Sequence, residues 1–132
     1  MTLATAYWCV LIAAILPYVW TAVAKAGGER YDNRNPRAWM ARQEAPHRQR
    51  ANAAQLNAFE AFPAFAASVL MAQLAGVEVA RIALLAVVFV GLRIFHGVFY
   101  IANLHLLRSL VWFGGLICIL TLMALAALAV AT

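Results

Sequence analysis

Four apolar stretches divide the chain, at about residues 3–24, 47–75, 79–103 and 107–130, with a long polar segment over 25–46 between the first two. A helix needs about 20 residues to cross the hydrocarbon core of a bilayer, and each stretch is long enough. The breaks near Gly76 and Leu104 are very short, so they force antiparallel neighbours. The pattern predicts an all-α membrane protein, a single bundle of four transmembrane helices. Pro17 and Pro63 fall inside the first two helices, which neighbouring helices can accommodate in a membrane. Tyr7 and Trp8 near one end of the first helix, and Tyr18 and Trp20 near the other, read as interfacial aromatics. Gly27-Gly28 stops that helix, the run from Asp32 to Pro36 is turn chemistry, and Pro46 starts the second helix. Residues 48–57 are too polar for lipid tails and are expected to project into the aqueous interface. Gly114-Gly115 predicts a close helix contact in the fourth.

Composition narrows the class. Apolar residues make up 66% of the chain and charged ones 11%, against about 45–50% and about 25% in soluble domains. An ordinary soluble globule and a disordered chain are both excluded. The formal charge is +5, and seven of the ten basic residues (Lys25, Arg30, Arg34, Arg37, Arg42, Arg48 and Arg50) lie in or beside the polar segment. They do not alternate with aromatics, so no nucleic acid is expected as a partner. Beside membrane spans, such a basic loop is the signal for a cytoplasmic location. Both termini then face the opposite side, the periplasm if the membrane is a bacterial inner membrane. The first helix lacks a basic n-region and is read as a retained span rather than a signal peptide. Cys9 and Cys118 sit within apolar runs and read as small buried hydrophobes.

The informative residues are the polar ones at membrane depth. Arg93 falls about 15 Å from the loop end of the third helix, at 1.5 Å per residue. Antiparallel packing sets Glu60 of the second helix at a similar depth. A lone charge there costs at least about 2.5–3.5 kcal/mol, and a Glu60–Arg93 pair facing the bundle interior would remove most of it. Such a pair is either a functional site or an ion pair that fixes register. Arg50, Asn57 and Glu60 share one helix face, as do Arg93, His96, Tyr100 and Asn103. Facing each other, the two stripes would form a polar cleft open to the cytoplasm, with Arg108 beside it. The three histidines, His47, His96 and His105, show no ligand spacing, so no metal is expected.

The stretch from Arg50 to Phe65, with Asn57, Glu60 and Pro63 at steps of three and Phe65 nearby, resembles the second-helix signature of the MAPEG family, the membrane-associated proteins in eicosanoid and glutathione metabolism. Tyr31 to Arg37 is similar to the first loop of a bacterial subgroup, and Arg93, Tyr100, Leu107-Arg108-Ser109 and Trp112 are similar to the third and fourth helices. The resemblance implies a homotrimer that holds glutathione between adjacent subunits toward the cytoplasmic face. It implies Gln55, Asn57 and Glu60 as contacts to the tripeptide, with Arg93 supporting them or binding a carboxylate, and Arg50 upstream. Arg108 would stabilise a thiolate, since a nearby cation lowers a thiol pKa, with Tyr100 or His96 as hydrogen-bond donors. Ala53, Ala61, Ile94 and Val98 depart from the pattern of the glutathione-conjugating members. Two functions follow. One is a glutathione transferase or peroxidase acting on lipophilic small molecules that arrive with the membrane lipids. The alternative is a non-catalytic trimer that binds a lipid or hydrophobic metabolite, or an accessory subunit of a larger membrane complex.

Overall fold

The computed structural model describes residues 1–131, and every regular element in them is helical. The elements are α1 (Leu3–Lys25), α2 (Pro36–Ala41), α3 (Pro46–Leu74), α4 (Val79–Ile101) and α5 (His105–Val130). On length and composition α1, α4 and α5 can cross a membrane. Where the sequence suggested four apolar spans, three therefore qualify. α3 is the longest helix, but its first turns carry Arg48, Gln49, Arg50, Asn52, Gln55 and Asn57 and dilute its hydropathy. It packs against α1, α4 and α5, so its polar residues are brought among apolar helices.

The helices alternate in direction. Tyr7 near the start of α1 donates a hydrogen bond to Gln73 near the end of α3, and Phe65 of α3 stacks on Phe89 of α4 at 3.9 Å between ring centres. Small residues let the backbones approach: Ala6, Ala13, Ala54, Ala72, Ala83 and Ala86 are all buried. Cys9 and Cys118 are buried and unoxidised in the same core. One turn beyond Pro17 the Thr21 hydroxyl donates to the Pro17 carbonyl at 3.0 Å.

Trp20 is not an interfacial anchor. It is 7% exposed and lies against Gly97 of α4, where an added Cβ would come within 2.1 Å of the indole. Tyr7, Trp8 and Tyr18 do point outward. Asn103 also departs from its expected place in the polar stripe. α4 ends at Ile101, and Asn103 takes a left-handed φ of 60°, which asparagine tolerates, to close the helix. The Leu104 N–H then reaches the Phe99 carbonyl at 2.9 Å.

The polar segment contains an element that its turn chemistry concealed. Pro36 opens α2, a six-residue helix that turns Trp39 inward, and the Trp39 indole N–H donates to the Arg30 carbonyl at 2.9 Å. Beneath it lies Arg48, 4% exposed. Its guanidinium donates to Gln43 Oε1 at 2.6 Å and to the Ala26 carbonyl at 3.1 Å. Gly28, at φ +70°, lies so close that a Cβ would be 2.4 Å from Arg48 Nη2. The loop is thus wrapped around a buried cation and held as a platform over one end of the bundle.

The Trp20–Gly97 contact gives a stability test. Gly97→Ala is expected to lower stability by about 1–3 kcal/mol, because a rigid ring must move. Gly91→Ala, with nothing within 4 Å of its Cβ position, is expected to be neutral or to stabilise by up to about 1 kcal/mol through helix propensity. Thermal melts of both variants in the same detergent read the difference.

Candidate functional site

Between α3, α4 and α5 lies a cavity of about 220 Å³. Its polar wall is Asn57 and Glu60 of α3 with Arg93 of α4. Asn57 and Glu60 are three residues apart on one helix and so project to the same side. The remaining wall is apolar and continues along the helices: Ala61 and Ala64, Phe89, and Trp112, Gly115, Leu116 and Ile119 of α5. Gly115 gives the cavity its room on the α5 side, since a Cβ there would already touch Phe89 and the Arg93 stem at 3.6–3.8 Å.

Arg93 is 4% exposed and is not neutralised by direct ion pairing. The Glu60–Arg93 pair expected from the sequence does not form. Among the described residues the ion pairs are Arg34–Asp32 at 3.1 Å and Arg81–Glu78 at 3.0 Å. Arg93 Nη2 donates instead to Asn57 Oδ1 at 2.7 Å, and Glu60, exposed in this chain, faces the same cavity from the rim. The physical reason is reach. Asn57 sits a turn nearer the loop end and meets the guanidinium first. An arginine carries five N–H donors, so one amide leaves most of them available to the cavity.

His96, Tyr100 and Arg108 form a second cluster nearer the loop end. His96 is buried and meets the Tyr100 ring edge-on at 5.6 Å. The Arg108 guanidinium lies over the other part of that stack, 4.5 Å from the Tyr100 ring centre. None of the three lines the 220 Å³ cavity. Arg50 is elsewhere again: its Nε donates to the Ile101 carbonyl at 2.9 Å, so it caps the end of α4.

Gln55 is separated from Asn57 and Glu60. It lines a larger groove of about 530 Å³ on another side of α3, with Lys25 of α1, Arg37 and Met40 of α2, and Asn52, Leu56 and Phe59. The sequence reading missed Lys25, Arg37 and Asn52 as site candidates. The signal available for them was the helical offset of Asn52 and Gln55 from Asn57, which places them around the α3 circumference. It also missed the apolar wall, because alanines and leucines in a membrane helix carry no distinguishing mark. Among the described residues no group of three His, Cys, Asp or Glu side chains comes together to hold a metal ion.

A model of the MAPEG family matches residues 5–128, nearly the whole chain. The chain belongs to the MAPEG family. No curated protein and no solved structure matches it at the corresponding stringency. The match, with three apolar helices of spanning length, makes this MAPEG protein an integral membrane protein. Asn57, Glu60 and Arg93 line one cavity in it, and Arg93 is held by the neutral amide.

The arrangement separates the two α3 residues in their effect on the fold. Asn57→Ala removes the hydrogen bond made in the protein to a buried cation and is expected to cost about 1.5–3 kcal/mol. Glu60→Ala leaves that bond intact and is expected to cost less than about 0.5 kcal/mol in the isolated subunit. Denaturation of detergent-solubilised variants, compared under dissociating conditions, checks the order.

Proposed function

We propose that the protein is a glutathione-dependent enzyme of the transferase or peroxidase type, acting on lipophilic electrophiles, and that it works as a homotrimer of four-helix membrane subunits. The observation that carries this reading is the cavity in which Asn57 holds Arg93 with most of its donors unused and Glu60 stands at the rim. A polar wall of this kind suits a zwitterionic peptide: guanidinium donors for a carboxylate and a carboxylate for an ammonium group. The apolar wall beyond it suits a lipid-soluble second substrate.

The size of the cavity supports a shared site. About 220 Å³ is below the roughly 300–1,000 Å³ usual for a small-molecule pocket. Gln55, which the family resemblance assigns to the same ligand, lines the groove on another side of α3. One chain therefore cannot bring Gln55 to Asn57. A head-to-tail ring sets the Gln55 groove of one copy against the Glu60 rim of the next and repeats that contact at every interface. Such a ring also covers Glu60, whose exposure to hydrocarbon would cost about 2.5–3.5 kcal/mol.

When bound, glutathione supplies a thiolate nucleophile. In this reading Arg93, Asn57 and Glu60 bind and orient the peptide. Gln55, Lys25 and Arg37 of the adjacent copy close the site. Arg108, fixed over Tyr100, places a cation near the loop-side entrance and favours the thiolate, while Tyr100 and His96 are hydrogen-bond donors in reserve. The cytoplasmic face of a bacterial inner membrane is the side proposed for the basic loop, with the termini on the periplasmic side. The polar wall pairs a guanidinium with a carboxylate, which suits a zwitterionic peptide better than a lipid tail, and the catalytic reading is preferred.

Two measurements test this. Glutathione titrated into the purified protein is expected to release heat and to raise thiolate absorbance, with the thiolate fraction falling about tenfold or more in Arg108→Ala, equivalent to a pKa change of at least one unit. Absence of binding at millimolar glutathione overturns the reading. The shared site is tested by co-expressing Gln55→Ala with Asn57→Ala. Each variant alone lacks sites, whereas every mixed trimer regains about one site in three through symmetry. No recovery in mixtures means that the site lies within one chain.

A further inference from the structure

The net charge of the molecule lies at one end. From Lys25 to Arg50 there are seven basic and three acidic residues, whereas beyond them Glu60, Arg81, Glu78 and Arg93 cancel and Arg108 returns to the loop end. The platform formed by residues 26–45 holds four basic and three acidic residues, and with Lys25, Arg48 and Arg50 at its base it carries most of the net charge of the subunit. It sits where α1 ends at Lys25 and α3 begins at Pro46, at the boundary of the apolar spans.

Within the platform the cations divide into two sets. Arg48 is buried and consumed by Gln43 and the Ala26 carbonyl. Lys25 lies 4.0 Å from the centre of the Tyr31 ring. Arg30 and Arg42 are exposed, and neither has a carboxylate within ion-pair distance. Arg34 touches Asp32 through Nε, but its side chain is 92% exposed and its terminal nitrogens are unengaged. The acidic groups offset them in part: Glu29 accepts from Gln43 at 3.2 Å, and Asp32 is held in its charged form, below the usual carboxylate range, by the Arg34 backbone N–H and guanidinium. The aromatic residue of α2 points inward, with Trp39 1% exposed. The outer surface thus offers cations without an aromatic to stack on a base or to insert among acyl chains.

We propose that this platform docks on the headgroups of anionic phospholipids in the adjoining leaflet. The occupant follows from three observations: the surface is cationic, it stands at the membrane boundary, and its apolar anchor is used internally. An interfacial helix that buried Trp39 in lipid would bind through apolar area. This platform has only charge to offer, so its lipid binding depends on anionic lipid and falls with salt. The packing around Arg48 fixes the loop backbone that carries Arg30, Arg34 and Arg42, which reduces the ordering cost of docking. The proposal does not depend on the glutathione reading, because these arginines lie outside the cavity and the Gln55 groove.

The test is native mass spectrometry of the full protein from mixed micelles containing equal phosphatidylglycerol and phosphatidylcholine. The wild type is expected to retain phosphatidylglycerol in preference. Each arginine near the surface contributes about 1 kcal/mol, or roughly fivefold. Arg30→Gln/Arg34→Gln/Arg42→Gln should therefore lower the preference by about a hundredfold, and 0.5 M salt should lower it for the wild type. Glu44→Gln removes an exposed acid that makes no hydrogen bond and should raise the preference, which guards against a triple variant that fails to fold. An equal preference in the wild type and in both variants, or one indifferent to salt, overturns the proposal.

Discussion

A guanidinium at membrane depth, held by an amide instead of a carboxylate, is the constraint on which the arrangement of α3, α4 and α5 depends. Arg93 begins about 12 Å along α4 from its loop end, at 1.5 Å per residue, and meets Asn57 at 2.7 Å. A carboxylate in that position would close the pair and leave a structural ion bridge. The amide satisfies one donor and preserves the positive charge. Everything around it accommodates that choice. Gly115 leaves the space, Phe89 walls the inner side, and Glu60 stands far enough away to remain a separate group.

The sequence made much of the architecture legible and less of the site. Helix positions followed from apolar runs and from Gly76, Pro46 and Gly27, because in a membrane every backbone group must be satisfied internally and a helix is the available solution. The loop was harder. Asn35-Pro36 signals a turn and a helix start equally well, and only the burial of Trp39 decided for α2. Trp20 failed as an interfacial anchor because a residue's distance from a helix end says nothing about its direction. The Gly97 notch that receives it is 77 positions away.

The site shows the same division. The helical period brought Asn57, Glu60 and Arg93 to one place, but it could not choose which of two acceptors Arg93 would take. The period does set Gln55 about 200° around α3 from Asn57, but it gives no sign of the separate groove that Gln55 lines. Arg50 looked like a member of the polar face and proved to be a cap on another helix. Arg48 looked like one more loop charge and proved to be the centre of the loop.

The Arg50 contact with the Ile101 carbonyl carries a mechanical meaning. Helices in lipid are free to slide along one another, since hydrocarbon is equally accommodating at every height. A charged hydrogen bond from the first turns of α3 to the last turn of α4 works as a vernier stop between them. Slippage by one turn would carry Asn57 about 5.4 Å from Arg93 and would first have to break that stop. The vertical alignment of the cavity is therefore set at the water's edge, several turns away from the groups it aligns.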